Sequence, residues 1–148
     1  MRGSCLCGKV KFEIEGEIQA IYQCHCSLCR KEGGSSSNSS AIIDAAKIRW
    51  ARGQEHISSY VRQTGFRSDF CSSCGSPVPH PLRSTSYYWV PVGLLDGNIQ
   101  CEVVAHLFVG SKASWDTIPA NGAHFETMPG PGELLKLLSP KNQLNSGD

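Results

Sequence analysis

The chain has no run of apolar residues approaching the ~18 that a membrane-crossing helix needs. Its opening, MRGSCLCGKV, has no counterpart of the roughly 7–15-residue apolar segment of a secretion signal. Nor are there five like charges in a row; the formal net charge is +1 and the pI about 7.6. That balance excludes the global field of a protein built to gather nucleic acid or an acidic surface. With 148 residues and no internal repeat, the chain has length for one core but not for two. The expectation is a soluble, cytoplasmic protein with neither membrane nor nucleic-acid partner, as a monomer or a homodimer.

What is abundant is cysteine. Thiols in the cytosol stay reduced, so eight of them without a secretion signal read as metal ligands or catalytic groups rather than a disulfide framework. They fall as Cys5-x-Cys7, Cys24-x-Cys26-x-x-Cys29 and Cys71-x-x-Cys74, with Cys101 alone. Four disulfides are arithmetically open, but Cys5/Cys7 and Cys71/Cys74 are too close in sequence for ordinary loop-closing pairs.

The remainder reads mostly as strands. KVKFEIEG alternates, with Val10, Phe12 and Ile14 on one face and Lys9, Lys11, Glu13 and Glu15 on the other. IQAIYQ, IRWA, ISSYVR, FRSDF, YYWVPVG and CEVVAHLFVG are further short runs rich in β-branched and aromatic residues. Turn-forming residues separate them at hairpin-like intervals, as at Leu95-Asp96-Gly97-Asn98. GGSSSNSS (33–40) reads either as a flexible loop or as an edge strand pressed against something that needs small neighbours. The one helix expected is GELLKLL, after the breaker MPGPG, and residues beyond Ser139 read as a flexible tail. No linker precedes Pro129. The organisation expected is therefore an all-β domain over residues 1–128, followed by a short helix and tail over 129–148.

Zinc takes four thiolate or imidazole ligands in a tetrahedron, commonly delivered as two short Cys-x-Cys or Cys-x-x-Cys knuckles from distant segments. Cys7 is followed by Gly8 and Cys74 by Gly75; a knuckle turns backbone amides toward the sulfurs, and glycine reaches the positive φ this requires. Cys5, Cys7, Cys71 and Cys74 make a complete four-sulfur set, closed and hence structural. It would staple the first strand to a hairpin much later in the chain. The plainer alternative is that these are small buried core residues.

The middle cluster differs. Cys29 is followed by Arg30 and Lys31 rather than glycine, and only three cysteines are present. Three protein ligands with one position left over is the pattern of a catalytic zinc, and the adjacent cations favour thiolates and anionic ligands. A closed site would need His25, Cys101 or a distant histidine such as His80 as fourth ligand. His25 lies between two residues whose side chains must converge, so it is expected to point away from them. Cys101 opens an apolar run and reads first as packing; His80, in PVPHPL, reads first as a surface-loop residue.

Four segments, GSCLCGKVKFEIEG, CHCSLCRKEGGSS, FCSSCGSPV and HLFVGSKASWDTI, resemble the successive signatures of the glutathione-dependent formaldehyde-activating family, which also includes centromere protein V. The resemblance spans about residues 3–118. It implies an all-β fold of the β-tent type with two Zn(2+) ions per chain. Cys5, Cys7, Cys71 and Cys74 match the structural site; Cys24, Cys26 and Cys29 match the second, catalytic site. The activity implied is S-(hydroxymethyl)glutathione synthesis, a carbon–sulfur lyase reaction in which a substrate thiol, glutathione, meets an aldehyde. Because glutathione carries two carboxylates, Arg30, Lys31 and Lys112 are candidate contacts by charge alone. In HLFVGSKASWD, Leu107, Val109 and Trp115 read first as core, with Ser111 and Asp116 capping turns. No general base is evident beside the cluster. A second function class stays open: a non-catalytic zinc-stabilised binding module with both metals structural, which a fourth protein ligand at the second cluster would favour.

Overall fold

The computed structural model describes residues 1–139; the expected tail beyond Ser139 lies outside them. The strands are β1 (Arg2–Ser4), β2 (Lys11–Ile14), β3 (Ala20–Cys24), β4 (Asn38–Asp44), β5 (Ile48–Arg52) and β6 (Ile57–Val61). They continue as β7 (Arg67–Cys71), β8 (Pro77–Val78), β9 (His80–Pro81), β10 (Tyr87–Pro91), β11 (Glu102–Leu107) and β12 (Ala123–Phe125). Two helices join them, α1 (Ser27–Gly33) and α2 (Pro131–Leu138). The chain is all-β, as expected, in three sheets: β1-β2-β5, β12-β11-β3-β4-β10-β9 and β6-β7-β8.

The alternating segment behaves as its pattern dictates. Val10, Phe12 and Ile14 are 0%, 1% and 3% exposed, while their neighbours face outward. Phe12 and Ile14 pack on Ile21, Ala41 and Val90 of the large sheet. Because side chains alternate along a strand, Tyr22 and Cys24 fall on the opposite face, with Trp89, Ala105 and Leu107. Leu134 of α2 covers that face. The large sheet thus carries an apolar core on one side and, on the other, a second core that contains Cys24.

Three expectations are corrected. A helix absent from the sequence reading, α1, follows directly from the middle cysteines. It is seven residues long and buries no residue, so it has no apolar face to betray it. GGSSSNSS is a loop only at its centre and is not an edge: Gly33 and Gly34 end α1, Ser35–Ser37 connect, and Asn38–Ser40 start β4, which lies inside the large sheet between β3 and β10. The turn at Leu95-Asp96-Gly97-Asn98 does not close a hairpin, since β10 pairs with β4 and β9 and β11 with β3 and β12.

Gly53 ties β5 to the first cysteine loop. Its φ is 84°, and a Cβ there would collide with the backbone carbonyl of Lys9. Left-handed strain alone costs about 1–2 kcal/mol, and a backbone clash adds to it. Gly53→Ala is therefore expected to cost about 3 kcal/mol, measured as a lower denaturant midpoint with unchanged slope; a loss below about 1 kcal/mol would contradict the clash.

Candidate metal centres

Cys5 follows β1, Cys7 lies in the next turn, Cys71 ends β7 and Cys74 sits in the β7–β8 turn. The four sulfurs all fall within 4.8 Å of one another, with Cys5–Cys7 at 3.6 Å and Cys7–Cys71 at 3.8 Å. A tetrahedron with zinc–sulfur bonds of about 2.3 Å has edges of about 3.8 Å, so the set fits the ion. The glycines act as the sequence reading requires: Gly8 has φ 74° and Gly75 φ 77°. Their amides donate to Cys5 O at 3.0 Å and to Cys71 O at 2.7 Å. The Val10 amide donates to Cys5 Sγ at 3.3 Å. The Cys74 thiol is held down to about 5, first by the Ser76 hydroxyl and then by its amide. Cys7 is drawn down by the Lys9 amide, but burial and the neighbouring thiols outweigh this and push it up to about 11. Sulfurs this close compete for negative charge, and a dication is what allows all four to be thiolates.

The second set is assembled differently. Cys24 ends β3, Cys26 caps α1, and Cys29 lies in its first turn. Their sulfurs also fall within 4.8 Å of one another. In place of a glycine knuckle, a helix start organises them: the Cys29 amide donates to Cys26 Sγ at 3.4 Å. A hydrogen bond from Cys29 holds Cys24 down to about 6 against burial and the Glu32 carboxylate, and the same bond, with burial, pushes Cys29 far above the usual thiol range. No fourth His, Cys, Asp or Glu joins this set among the described residues.

The three residues weighed as a fourth ligand all lie elsewhere. His25 points away from the sulfurs: its Nδ1 donates to Asp116 Oδ2 at 2.9 Å and its Nε2 lies 3.2 Å from His106 Nδ1. Cys101 packs against the core on the other face of the large sheet. His80, expected on a surface loop, is only 7% exposed. Between Pro79 and Pro81 it joins β9 beside β10 and stacks on Trp89, ring centroids 5.0 Å apart.

The candidate cations are not brought together. Arg30 Nη2 donates to Ser111 O at 3.4 Å, joining α1 to the loop after β11, whereas Lys112 Nζ donates to Asp116 O at 2.9 Å within that loop. Lys31 lines a cavity of about 360 Å³ with Leu28, Glu32, Tyr60, Arg62 and Phe66; of these, Glu32 also acts on Cys24. Helical spacing turns Leu28 and Lys31 away from the side that carries Cys26 and Cys29.

Several groups on either side of the second cysteine segment take roles that the sequence does not show. Glu32 Oε2 accepts from Asn38 Nδ2 at 2.8 Å, while Oε1 is buried without a partner. Ser40, 0% exposed, has a hydroxyl without a partner. The Tyr22 phenol is pushed well above its usual range by burial and then by Cys24 and Cys29, so it stays protonated. Burial, then the His124 and His25 charges, push His106 below the usual imidazole range. Trp115, expected in the core, is 71% exposed, and the Asp116 carboxylate takes His25 rather than a turn amide. Only the pairing of His106 with Asp116 at the ends of one motif could have signalled this arrangement.

Fold and sites together define a small β protein with one four-sulfur and one three-sulfur set, both compatible with zinc. The chain belongs to the glutathione-dependent formaldehyde-activating enzyme family, whose model matches residues 1–111. A Halomonas elongata protein, provisionally named a glutathione-dependent formaldehyde-activating enzyme, is 33% identical over 84 residues, 53% of this chain and 54% of that one. The chain thus spans about half the length of that relative. A crystal structure of a Rhodobacter sphaeroides protein is similar in fold, with TM-score 0.56 and 32% identity over 66% of this chain and 90% of the other. Among the described residues, no helix is long and apolar enough to cross a membrane.

Proposed function

We propose that the protein is a cytoplasmic zinc-dependent carbon–sulfur lyase that joins a thiol to an aldehyde, or parts the adduct, with glutathione and formaldehyde as the pair suggested by the family. The observation that carries this reading is the three-sulfur set without a fourth side chain among the described residues. Cys5, Cys7, Cys71 and Cys74 would hold a structural zinc, and Cys24, Cys26 and Cys29 a second. A zinc ion at the second set supplies a Lewis acid and lowers the pKa of a thiol that joins it. In the forward direction a sulfur–carbon bond forms, the carbonyl π pair becomes a hydroxyl, and the thiol proton is conserved overall. Glu32 Oε1, buried and unpartnered, is suited to accept that proton. The Tyr22 phenol, kept protonated by its surroundings, is suited to donate toward developing negative charge. Arg30, on the cysteine-bearing segment, is the cation suited to a glutathione carboxylate there; Lys112 and Lys31 would serve only more distant charge. In this reading residues 1–128 are the zinc-binding β domain and residues 129–148 a short helix and tail appended to it, with Leu134 of α2 covering the core.

Metal retention tests the proposal. Freshly purified protein is expected to hold two zinc ions per chain, and mild chelation should remove the second while the protein stays folded. Glutathione should slow that second release, because a thiol that adds to the ion held by Cys24, Cys26 and Cys29 stabilises the loaded state. Simultaneous loss of both ions with unfolding would instead favour a binding module in which both metals are structural.

A further inference from the structure

The segment HLFVGSKASWD (106–116) supplies no sulfur to either set, yet both of its ends meet one side chain. Asp116 Oδ2 accepts from His25 Nδ1 at 2.9 Å, and His106 Nδ1 lies 3.2 Å from His25 Nε2. His25 is 2% exposed and His106 1%. The Asp116 side chain is 13% exposed, although Trp115 beside it lies in solvent. A buried carboxylate is costly unless a partner compensates it. His25 Nδ1 is that partner.

His25 stands between Cys24 and Cys26. Extended backbone sends successive side chains to opposite sides, so the imidazole goes one way and the two sulfurs the other. The His25 amide donates to Leu107 O at 2.9 Å, which fixes the backbone at the same point. The loop also grips the other flank of the cysteine segment, where Arg30 Nη2 reaches Ser111 O at 3.4 Å. Its own shape is fixed by a left-handed Phe108 (φ 57°) and by the Asp116 amide donating to Ala113 O at 3.0 Å. Asp116 lies beyond the residues matched by the family model.

We propose that Asp116 is a positioning residue for metal capture: it locks the His25 ring and thereby the angle at which Cys24 and Cys26 present their sulfurs. The proposal rests on reading Cys24, Cys26 and Cys29 as a metal set. A wild-type protein that binds no second metal defeats that reading, whereas normal binding with an indifferent Asp116 defeats only this inference.

The test uses full-length protein loaded with cobalt(II), whose thiolate charge-transfer absorption reports the geometry of each set, together with metal release to a chelator. Asp116→Asn is isosteric and Asp116→Ala removes the acceptor. Both should weaken second-site retention by about tenfold or more, in the range for loss of an outer-shell partner, and shift that site's cobalt spectrum. First-site retention should stay at the wild-type level. His25→Asn should reproduce the loss, and the double variant His25→Asn/Asp116→Asn should lose no more than either single, because the two residues form one device. Wild-type retention and spectrum in Asp116→Ala, or additive losses in the double variant, would overturn the proposal. So would loss of both metals with unfolding in Asp116→Asn, which marks a merely structural contact. If Asp116→Ala proves insoluble, Asp116→Leu, close in volume and without an acceptor, decides.

Discussion

Cys74→Ser is expected to give unfolded or insoluble protein. Its sulfur belongs to a set that joins the β1–β2–β5 sheet to the β6–β7–β8 sheet, contributed by segments more than 60 residues apart. The apolar contacts there are few: the buried members of that cluster are Cys5, Val10, Cys71 and Val78, so half of them are themselves sulfur donors. Structural zinc in small domains contributes apparent binding free energies of about 10–16 kcal/mol, against total stabilities of about 5–15 kcal/mol. Losing one ligand can therefore consume most of the margin. The decisive measurements are soluble yield, zinc content and thermal unfolding of the variant beside wild type. Soluble protein that melts cooperatively near the wild-type midpoint would remove the structural assignment.

The two sulfur sets were legible to different degrees for a physical reason. The first is made by turns, and turns leave a sequence signal: Gly8 and Gly75 adopt the positive φ their positions demand. Strand alternation was equally readable in Val10, Phe12 and Ile14, since one sheet face meets a core and the other meets solvent. The second set is made by a strand end and a helix start. Its helix uses Cys26 as cap in place of the usual serine, threonine or aspartate, and it presents no apolar stripe. The small residues after it were ambiguous because Ser40 owes its place to tertiary packing: it lies opposite Tyr22 in the ladder, fully buried. His80 owes its burial to packing of the same kind. Flanking prolines suggested a rigid exposed loop, but they hold the imidazole inward onto Trp89. The link from Asp116 to His25 joins residues 91 positions apart, a separation that no local pattern encodes.

Cys26→Ser is expected to leave the fold and first metal intact while removing the second metal and, with it, turnover. The prediction is sharp because Cys26 serves two roles that this substitution separates. As helix cap it accepts from the Cys29 amide, and serine is among the best residues for that role; Cys26→Ala, by contrast, should cost about 1 kcal/mol of stability through the lost cap. As metal donor, the serine hydroxyl cannot replace a thiolate, and the set falls from three sulfurs to two. Cys26 is only partly buried, so the change creates little cavity. Turnover of a thiol and an aldehyde should fall by more than about a hundredfold, beyond the usual effect of losing an outer-shell partner. Binding of glutathione, followed by titration calorimetry, should weaken in parallel. Zinc content should drop from two ions to one, with a cooperative thermal transition retained at a somewhat lower midpoint, since a metal bound only to the folded state stabilises it. A folded Cys26→Ser protein that keeps full activity would place the chemistry away from Cys24, Cys26 and Cys29.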